Sequence, residues 1–272
     1  MIDARTSLFG LIGNPVDHSL SPVMHNQAFA ETGCNAVYLA FCVSEPGAAI
    51  KSFRALNVKG VSVTLPHKVA VMEYLDDIEK TAASIGAVNT IVRHNGKLIG
   101  YNTDCQGAIK ALQTQTTIDG KAAAIIGAGG AARAIGLGLS GVARRLTILN
   151  RTRKTGERLA ADLKADFLPL EECQPKRYDI MINTTPVGMH PDTTATPIAR
   201  QALSKEMVVM DIVYNPLNTR LLKEAAAKGC RTITGLDMFV FQGALQFELW
   251  TGIQAPVEVM RAAVLQALQT NF

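Results

Sequence analysis

A glycine-rich turn at residues 127–132, Gly127-Ala128-Gly129-Gly130-Ala131-Ala132, most restricts the folds open to this chain. An apolar run precedes the turn and a helical pattern follows it, so it joins a buried strand to a helix. The first glycine permits the tight turn, the second lets a phosphate approach the backbone, and the third position needs only a small residue. Because a helix N-terminus attracts anions, the pattern predicts a Rossmann-like unit that binds a pyrophosphate.

The end of the next strand indicates which dinucleotide is bound. Residues 146–149 are aliphatic or β-branched, and Asn150, Arg151 and Thr152 follow them. An NAD site usually carries an acid here for the ribose 2′-hydroxyl, whereas an arginine accommodates the 2′-phosphate of NADP. Arg151 therefore favours NADP. The alternative is that Arg151, Arg153 and Lys154 form only a solvated charged run.

Short β runs alternate with helical stretches along all 272 residues, which predicts an α/β protein with mostly parallel strands. The dipeptide Asn95-Gly96 predicts a hairpin with a type I′ turn. Proline starts predict helices at residues 22–32, 46–56 and 66–74. The last two predicted helices, residues 236–250 and 256–269, have no strand after them and could pack on the first domain.

Composition excludes several partners. The net charge of +4 is too small and scattered to favour nucleic acid, although it suits an anionic small molecule. The five cysteines form no C-x-x-C pair, so neither a metal site nor a disulfide framework is expected. No signal-peptide core or membrane-length apolar run is seen, which favours a cytoplasmic protein without a membrane partner. The oligomeric state is left open, with a homodimer among the states allowed.

Two serines precede the first predicted helix. Ser19 and Ser21 could both hold a carboxylate together with the helix end. For Ser21, directly before Pro22, the alternative is an ordinary N-cap.

Lys68 falls in the first turn of the predicted helix at residues 66–74. A cation is disfavoured there by the helix dipole, so the position suits an acid–base lysine better than a surface one. A surface lysine remains one alternative, and His67 as the acid–base group is another.

Three further polar residues have both a functional and a structural interpretation. Asp104 could share a proton with Lys68, or simply follow a capping box formed by Thr103 and Gln106. Asn89 stands at a strand entrance or in a turn. Gln242 shares a helix face with Met238, Leu245 and Leu249, so its amide requires a partner, either a ligand hydroxyl or backbone.

These motifs together resemble the shikimate dehydrogenase family, in order and at family spacing over nearly the whole chain. The matching segments are Gly13-Asn14-Pro15, His18-Ser19-Leu20-Ser21-Pro22, His25-Asn26, Val63-Thr64-Leu65-Pro66-His67-Lys68, Gly86-Ala87-Val88-Asn89-Thr90, Tyr101-Asn102-Thr103-Asp104, Asn150-Arg151-Thr152, Asn183-Thr184-Thr185-Pro186-Val187-Gly188-Met189, Asp211-Ile212-Val213-Tyr214-Asn215-Pro216 and Gln242 through Gly252.

The resemblance implies NADPH-dependent reduction of 3-dehydroshikimate to shikimate, in the chorismate route to aromatic amino acids. It implies a substrate domain of residues 1–103 and 237–272, and an NADP-binding domain of residues 104–236. Lys68 and Asp104 would be the catalytic pair. The implied substrate ligands are Ser19, Ser21, Thr64, Lys68, Asn89, Asp104, Tyr214 and Gln242. The implied cofactor residues are Gly127, Ala128, Gly129, Gly130, Ala131, Asn150, Arg151, Thr152, Arg153, Lys154, Thr155, Ile212 and Gly235.

One departure concerns cofactor selectivity. Where the family often has a second arginine, three residues after the Asn-Arg-Thr motif, this chain has Thr155. Arg153 or Lys154 could compensate. The alternatives are a quinate/shikimate dehydrogenase with relaxed cofactor use, and a dinucleotide sensor without turnover. An intact Lys68 and Asp104 disfavour the sensor.

Overall fold

The computed structural model describes residues 2–173 and 177–270. Backbone contacts divide the chain into two compact units. One comprises the residues up to Thr103 together with those from Gln242 onward, and the other runs from Asp104 to Phe241. Within the described residues, no helix is long and apolar enough to cross a membrane.

The first unit contains a six-stranded mixed sheet with helices. Its elements are β1 (Ser7–Gly13), α1 (Ser21–Glu31), β2 (Ala36–Cys42), α2 (Pro46–Ala55), β3 (Gly60–Val63), a 3₁₀ helix (Ala70–Tyr74), β4 (Asp77–Ile78), α3 (Lys80–Ile85), β5 (Thr90–His94), β6 (Lys97–Tyr101), the later part of α8 (Gly235–Thr251), and α9 (Val257–Thr270). The strand order is β2-β1-β3-β5-β6-β4. The hairpin of β5 and β6 is confirmed, with φ of 48° at Asn95 and 80° at Gly96.

Strand directions in this sheet bring several chain segments to one edge. Strands β1 and β3 are parallel, whereas β5 runs antiparallel to both β3 and β6. The carboxyl ends of β1, β3 and β6 therefore share an edge with the amino end of β5. The segments that follow β1, β3 and β6, and the residue before β5, carry most of the polar residues singled out above.

The second unit is a doubly wound parallel sheet. Its elements are α4 (Asp104–Gln113), β7 (Ala122–Ile126), α5 (Gly130–Leu139), β8 (Arg145–Asn150), α6 (Arg153–Leu163), β9 (Asp166–Pro169), a 3₁₀ helix (Leu170–Glu172), β10 (Ile180–Asn183), a 3₁₀ helix (Arg200–Ala202), β11 (Val208–Asp211), α7 (Arg220–Ala227), β12 (Arg231–Ile233) and the start of α8. The order is β12-β11-β10-β7-β8-β9, and every pair is parallel.

This strand order is that of the Rossmann fold and confirms the predicted fold class. The order reverses between β7 and β10, and ligands of such sheets bind beyond the carboxyl ends of the strands at that point. The glycine-rich turn follows β7 directly. Both faces of the sheet are covered, with Ile125 and Ile148 in one apolar cluster and Ile126 and Leu149 in another.

Helix α8 belongs partly to each unit. Met238, in its first turns, lies in the core of the parallel sheet. Phe247, further along, packs against Phe29 of α1 with ring centroids 5.5 Å apart. Backbone contacts divide the chain at Gln242, whereas the sequence analysis placed the return at residue 237. A continuous helix carries no sequence signal for a boundary inside it.

The predicted helix at residues 66–74 is wrong as an α-helix. Turns at residues 65–69 lead into the 3₁₀ helix at Ala70–Tyr74. In this segment the Lys68 carbonyl accepts from the Val88 N–H at 2.8 Å. That carbonyl is thereby used by a neighbouring segment rather than by a helical ladder. The short elements β4, α3 and β9 were not predicted.

Candidate functional site

The first polar segment at the shared edge follows β1. Ser21 is the first residue of α1 and is buried, and the N-cap is Leu20, which has no side-chain capping bond. The N-cap interpretation of Ser21 is therefore wrong. The Ser19 hydroxyl accepts from the Ser21 N–H at 3.3 Å instead. The Ser21 side chain therefore does not cap α1, and it is available to the candidate site.

The second segment follows β3 and carries Thr64, His67 and Lys68. Because no α-helix starts here, the helix-dipole argument for Lys68 loses its basis. The His67 ring is buried and its Nε2 lies 2.6 Å from the Val43 carbonyl oxygen, to which it can donate. This bond gives His67 a structural role. Lys68 is half-buried, and its backbone is fixed through Val88.

Asn89 stands just before β5 and is held by both neighbouring strands. Its N–H donates to the Tyr101 carbonyl at 3.0 Å, and its carbonyl accepts from Val63 at 2.8 Å. Its side-chain Oδ1 accepts from the Thr103 N–H at 2.8 Å, and its Nδ2 donates to Thr103 Oγ1 at 3.0 Å. Only 2% of Asn89 is exposed. It is thus a fixed amide in the sheet rather than a turn residue.

Two glutamines on α8 lie against this edge. The Thr103 hydroxyl donates to Gln242 Oε1 at 3.5 Å. A protein side chain therefore supplies part of the hydrogen bonding that this amide was predicted to need. The proposed apolar stripe is only partly correct, because Leu249 is 39% exposed. Gln246, one turn after Gln242, is 2% exposed and was missed. The i, i+4 spacing of two amides on one buried helix face was the available signal.

Asp104 and Tyr214 belong to the second unit. Asp104 begins α4 immediately after Thr103 and is 8% exposed. Tyr214 follows β11 and stacks on Phe239 of α8, with ring centroids 4.9 Å apart. Burial raises the pKa of the Tyr214 phenol, so the phenol stays neutral.

The glycine-rich turn has the geometry that a phosphate cradle requires. Gly127 has φ of 109°, and a Cβ there would lie 2.6 Å from Thr184 Oγ1. A Cβ on Gly129 or Gly130 would meet nothing within 4 Å, so open space lies above the start of α5. Ala132 is fully buried under the turn. The residues present therefore fit a pyrophosphate on a helix N-terminus.

The loop after β8 is fixed by its own side chains. Asn150 Nδ2 donates to the Thr152 carbonyl and to Thr155 Oγ1, both at 2.9 Å. Arg153 pairs with Glu157 at 3.0 Å. Arg153 is thus engaged on the helix surface, while Arg151 is exposed at the loop tip.

Arg151 also lies in the wall of a cavity of about 370 Å³. The other lining residues are mainly apolar: Leu170, Glu171, Cys173, Pro197, Ile198, Ala199, Gln201 and Ala202. An arginine beside an apolar cavity suits a ligand with an anionic group next to a flat, weakly polar ring.

A buried carboxylate ties the loops after β10 and β11. Asp211 accepts from Asn183 Nδ2 at 2.9 Å, from the Thr219 hydroxyl at 2.7 Å and from the Val213 N–H at 3.1 Å. Burial raises the pKa of Asp211, and these three bonds oppose that increase. The cluster fixes the loop that contains Ile212, and sequence analysis gave it no role.

Gly235 meets the same loop from α8. A Cβ on Gly235 would lie 2.5 Å from the Val213 carbonyl, so only glycine permits this close approach of the two backbones. Ile212 and Gly235, both predicted from the resemblance as cofactor residues, are therefore neighbours.

Three family models cover most of the chain. Residues 11–91 match the shikimate dehydrogenase substrate binding domain, residues 109–220 match shikimate / quinate 5-dehydrogenase, and residues 235–265 match the shikimate 5'-dehydrogenase C-terminal domain. The chain is 47% identical to the shikimate dehydrogenase (NADP(+)) of Geobacillus kaustophilus, over 96% of this chain and 99% of that protein.

The chain belongs to the shikimate dehydrogenase family. Among solved structures, it resembles a shikimate dehydrogenase in complex with NADP+, with a TM-score of 0.96, 43% identity and 98% of each chain covered. It also resembles the shikimate 5-dehydrogenase of Thermus thermophilus in complex with NADP(H) and shikimate. There the TM-score is 0.90, the identity 36%, and the coverage 96% of this chain and 100% of that one. The family resemblance noted from the motifs is thereby confirmed.

Proposed function

We propose that this chain is a shikimate dehydrogenase that reduces 3-dehydroshikimate to shikimate reversibly with NADPH, in the biosynthesis of aromatic amino acids. The observation that carries the proposal is 47% identity to a shikimate dehydrogenase (NADP(+)) over nearly the full length of both chains. The fixed polar edge of the first unit and the phosphate cradle of the second support it. We further propose that the enzyme is cytoplasmic, and a homodimer is one assembly to test.

The second unit would hold NADP. The backbone of residues Gly127 to Ala131 would bind the pyrophosphate at the start of α5, where the space above Gly129 and Gly130 is open. Arg151, with Asn150 and residues 152–155 around it, would hold the 2′-phosphate, and Ile212 and Gly235 would line the nicotinamide end. The bound cofactor supplies or accepts the hydride.

The first unit would orient the substrate. Ser19 and Ser21 would hold the carboxylate, and Thr64, Asn89 and Gln242 the ring hydroxyls, with Tyr214 contributing from the second unit. The rigid amide of Asn89 supports this role, since Thr103 and the flanking strands hold it at 2.8–3.0 Å. Such preorganised groups lose little freedom when a ligand binds.

Lys68 and Asp104 would move the proton. As the ring ketone is reduced, its oxygen becomes an alkoxide that needs a proton and a nearby positive charge. Lys68 and Asp104 would act as one unit that delivers that proton, and protonated Lys68 would stabilise the charge before transfer. His67 is a weaker candidate because its ring is bound to the Val43 carbonyl.

A steady-state assay tests the proposal directly. Shikimate and quinate would each be offered with NADP+ and with NAD+. We expect the highest kcat/KM for shikimate with NADP+. Higher kcat/KM with quinate would indicate a quinate dehydrogenase, and ligand binding without turnover would indicate a sensor.

A further inference from the structure

A chain of buried hydrogen bonds lies behind the polar edge of the first unit, and Gln246 is at its centre. Gln246 Nε2 donates to Thr90 Oγ1 at 2.9 Å and to the Asn89 carbonyl at 3.2 Å. Its Oε1 accepts from Ser62 Oγ at 2.8 Å. Gln246 thus connects α8 to β3 and to the start of β5. Its amide oxygen and nitrogen are both bonded to protein groups, so the side chain is held within the protein.

One carbonyl group, that of Asn89, determines which group donates and which accepts in each hydrogen bond of this network. The Asn89 carbonyl can only accept, so Nε2 of Gln246 must face it and Oε1 must face Ser62. Ser62 therefore donates to Gln246 and accepts from the Tyr38 phenol at 2.7 Å. Burial raises the pKa of the Tyr38 phenol, and the nearby Ser62 and Ser21 hydroxyls offset part of that increase. A path of buried hydrogen bonds thus runs from Tyr38, beside Ser21, to Asn89.

On the Asn89 side, the path reaches the amide itself. Because Thr90 Oγ1 accepts from Gln246, its own hydrogen is available for Asn89 Oδ1, which lies 2.7 Å away. Gln246 therefore acts on Asn89 twice, directly on its carbonyl and through Thr90 on its side chain. A buried network in which each member has its partner is rigid, whereas a partly satisfied one is costly.

We propose that Gln246 is a positioning residue that fixes Ser21 and Asn89, which lie on either side of β3, in the arrangement that binds the substrate. The inference rests on the proposed function, because Ser21 and Asn89 are substrate ligands only if the chain binds shikimate. Gln246 itself touches no substrate atom in this role. Its contribution is that two groups from separate segments of the chain meet the ligand already aligned.

The variant Gln246→Met tests the role because it keeps the length and volume of the side chain while removing both amide functions. We expect KM for shikimate to rise about tenfold, which corresponds to the net contribution of about one hydrogen bond. The KM for NADP+ should remain within about twofold of the wild-type value, because the cofactor residues lie in the other unit. A uniform loss in all parameters would indicate a merely structural role and overturn the proposal.

Trp250→Phe is a matched control. Trp250 lies one turn beyond Gln246 on α8, and its Nε1 donates to the Ile91 carbonyl of β5 at 3.0 Å. The variant also breaks a part-buried bond between the same helix and strand, but not one of the bonds that connect Tyr38 to Asn89. We expect a lower Tm with an unchanged KM for shikimate. An equal rise in that KM would contradict a specific role for Gln246.

Ser62→Ala interrupts the same path at its middle with a smaller change, and it keeps the test available if Gln246→Met fails to fold. Its KM for shikimate should also rise, and its effect and that of Gln246→Met should not add in the double variant. An unchanged KM in Ser62→Ala would overturn the proposal. Failure of wild-type protein to oxidise shikimate with NADP+ would instead overturn the proposed function, so the two failures are distinguishable.

Discussion

Asn150 Nδ2 donates a hydrogen bond of 2.9 Å to the hydroxyl of Thr155, at the position where related sequences often have a second arginine. The threonine therefore braces the loop after β8. Arg153 forms an exposed ion pair with Glu157 on α6. We expect selectivity for the 2′-phosphate to depend mainly on Arg151.

The first prediction concerns this selectivity. Arg151→Ala should raise KM for NADP+ by about tenfold or more while changing KM for NAD+ little, because only NADP+ carries the 2′-phosphate. Steady-state kinetics with both cofactors at saturating shikimate would measure the change. Arg153→Ala is the matched control and should have a small effect. Equal losses for both cofactors in Arg151→Ala would argue against a 2′-phosphate contact.

The second prediction separates Lys68 from its neighbour His67. Lys68→Met should lower kcat by roughly 10² to 10⁴, the usual range for a general acid–base group, with a much smaller change in KM for shikimate. His67→Gln should mainly lower Tm, since His67 bonds the Val43 carbonyl in a buried position. If only KM changed in Lys68→Met, Lys68 would be a binding residue rather than a proton carrier.

The third prediction follows from a buried histidine. Burial lowers the pKa of His25 to about 3 from an ordinary value of 6.5, and the nearby Gln246 amide offsets only part of that decrease. Within the described residues, neither ring nitrogen has a hydrogen-bond partner of normal geometry. Tyr38, stacked on His25 at 4.6 Å, stays protonated because burial raises its pKa.

The sign of the resulting pH dependence is fixed by proton uptake. Below pH 6.5 the unfolded chain protonates His25 while the folded protein does not, so acid favours unfolding. The His25 contribution to the free energy of unfolding should fall by about 1.4 kcal/mol per pH unit between these two pKa values. In urea titrations at several pH values, His25→Phe should reduce this loss of stability in acid. If the free energy of unfolding fell equally steeply with decreasing pH in wild type and in His25→Phe, His25 would not be the cause of the acid sensitivity.

The fourth prediction concerns the glycine-rich turn. Gly127→Ala forces a side chain into a positive-φ position and against Thr184, so it should lower stability and weaken NADP+ binding together. Gly120→Ala is the matched control. Gly120 also has a positive φ, 73°, but a Cβ there would meet nothing within 4 Å. Its cost should be the backbone strain alone, roughly 1–2 kcal/mol, and NADP+ affinity should be unchanged. Chemical denaturation and calorimetric titration with NADP+ would measure both effects, and similar affinities for the two variants would contradict the cradle geometry.

Local sequence patterns predicted the parallel sheet well. The two strands on either side of the glycine-rich turn, β7 and β8, were predicted, because buried parallel strands are nearly continuous apolar runs. The segment around Lys68 was wrongly predicted as a helix. Its proline start suits a helix, but the Lys68 carbonyl is taken by Val88 and the His67 ring by Val43, both distant in sequence.

In the candidate site, too, sequence patterns identified some residues and missed those whose role depends on contacts between distant segments. Asn89, Gln242 and the glycine-rich turn were identified from sequence, while the buried groups behind them, Gln246 and Asp211, were not. A residue that acts by holding another carries no motif of its own, and its partners are set by folding.

The sequence by itself determined the family, the α/β class, the cofactor cradle and the polar residues of the candidate site. These features are local, since each depends on the spacing of a few residues in one segment. Only the tertiary structure decided which segments share an edge, that His67 is structural, that Thr155 braces a loop, and that Gln246 joins Ser62 to Asn89. Those properties depend on hydrogen bonds between segments as many as 184 residues apart, such as Ser62 to Gln246, and strand register and direction bring such segments together.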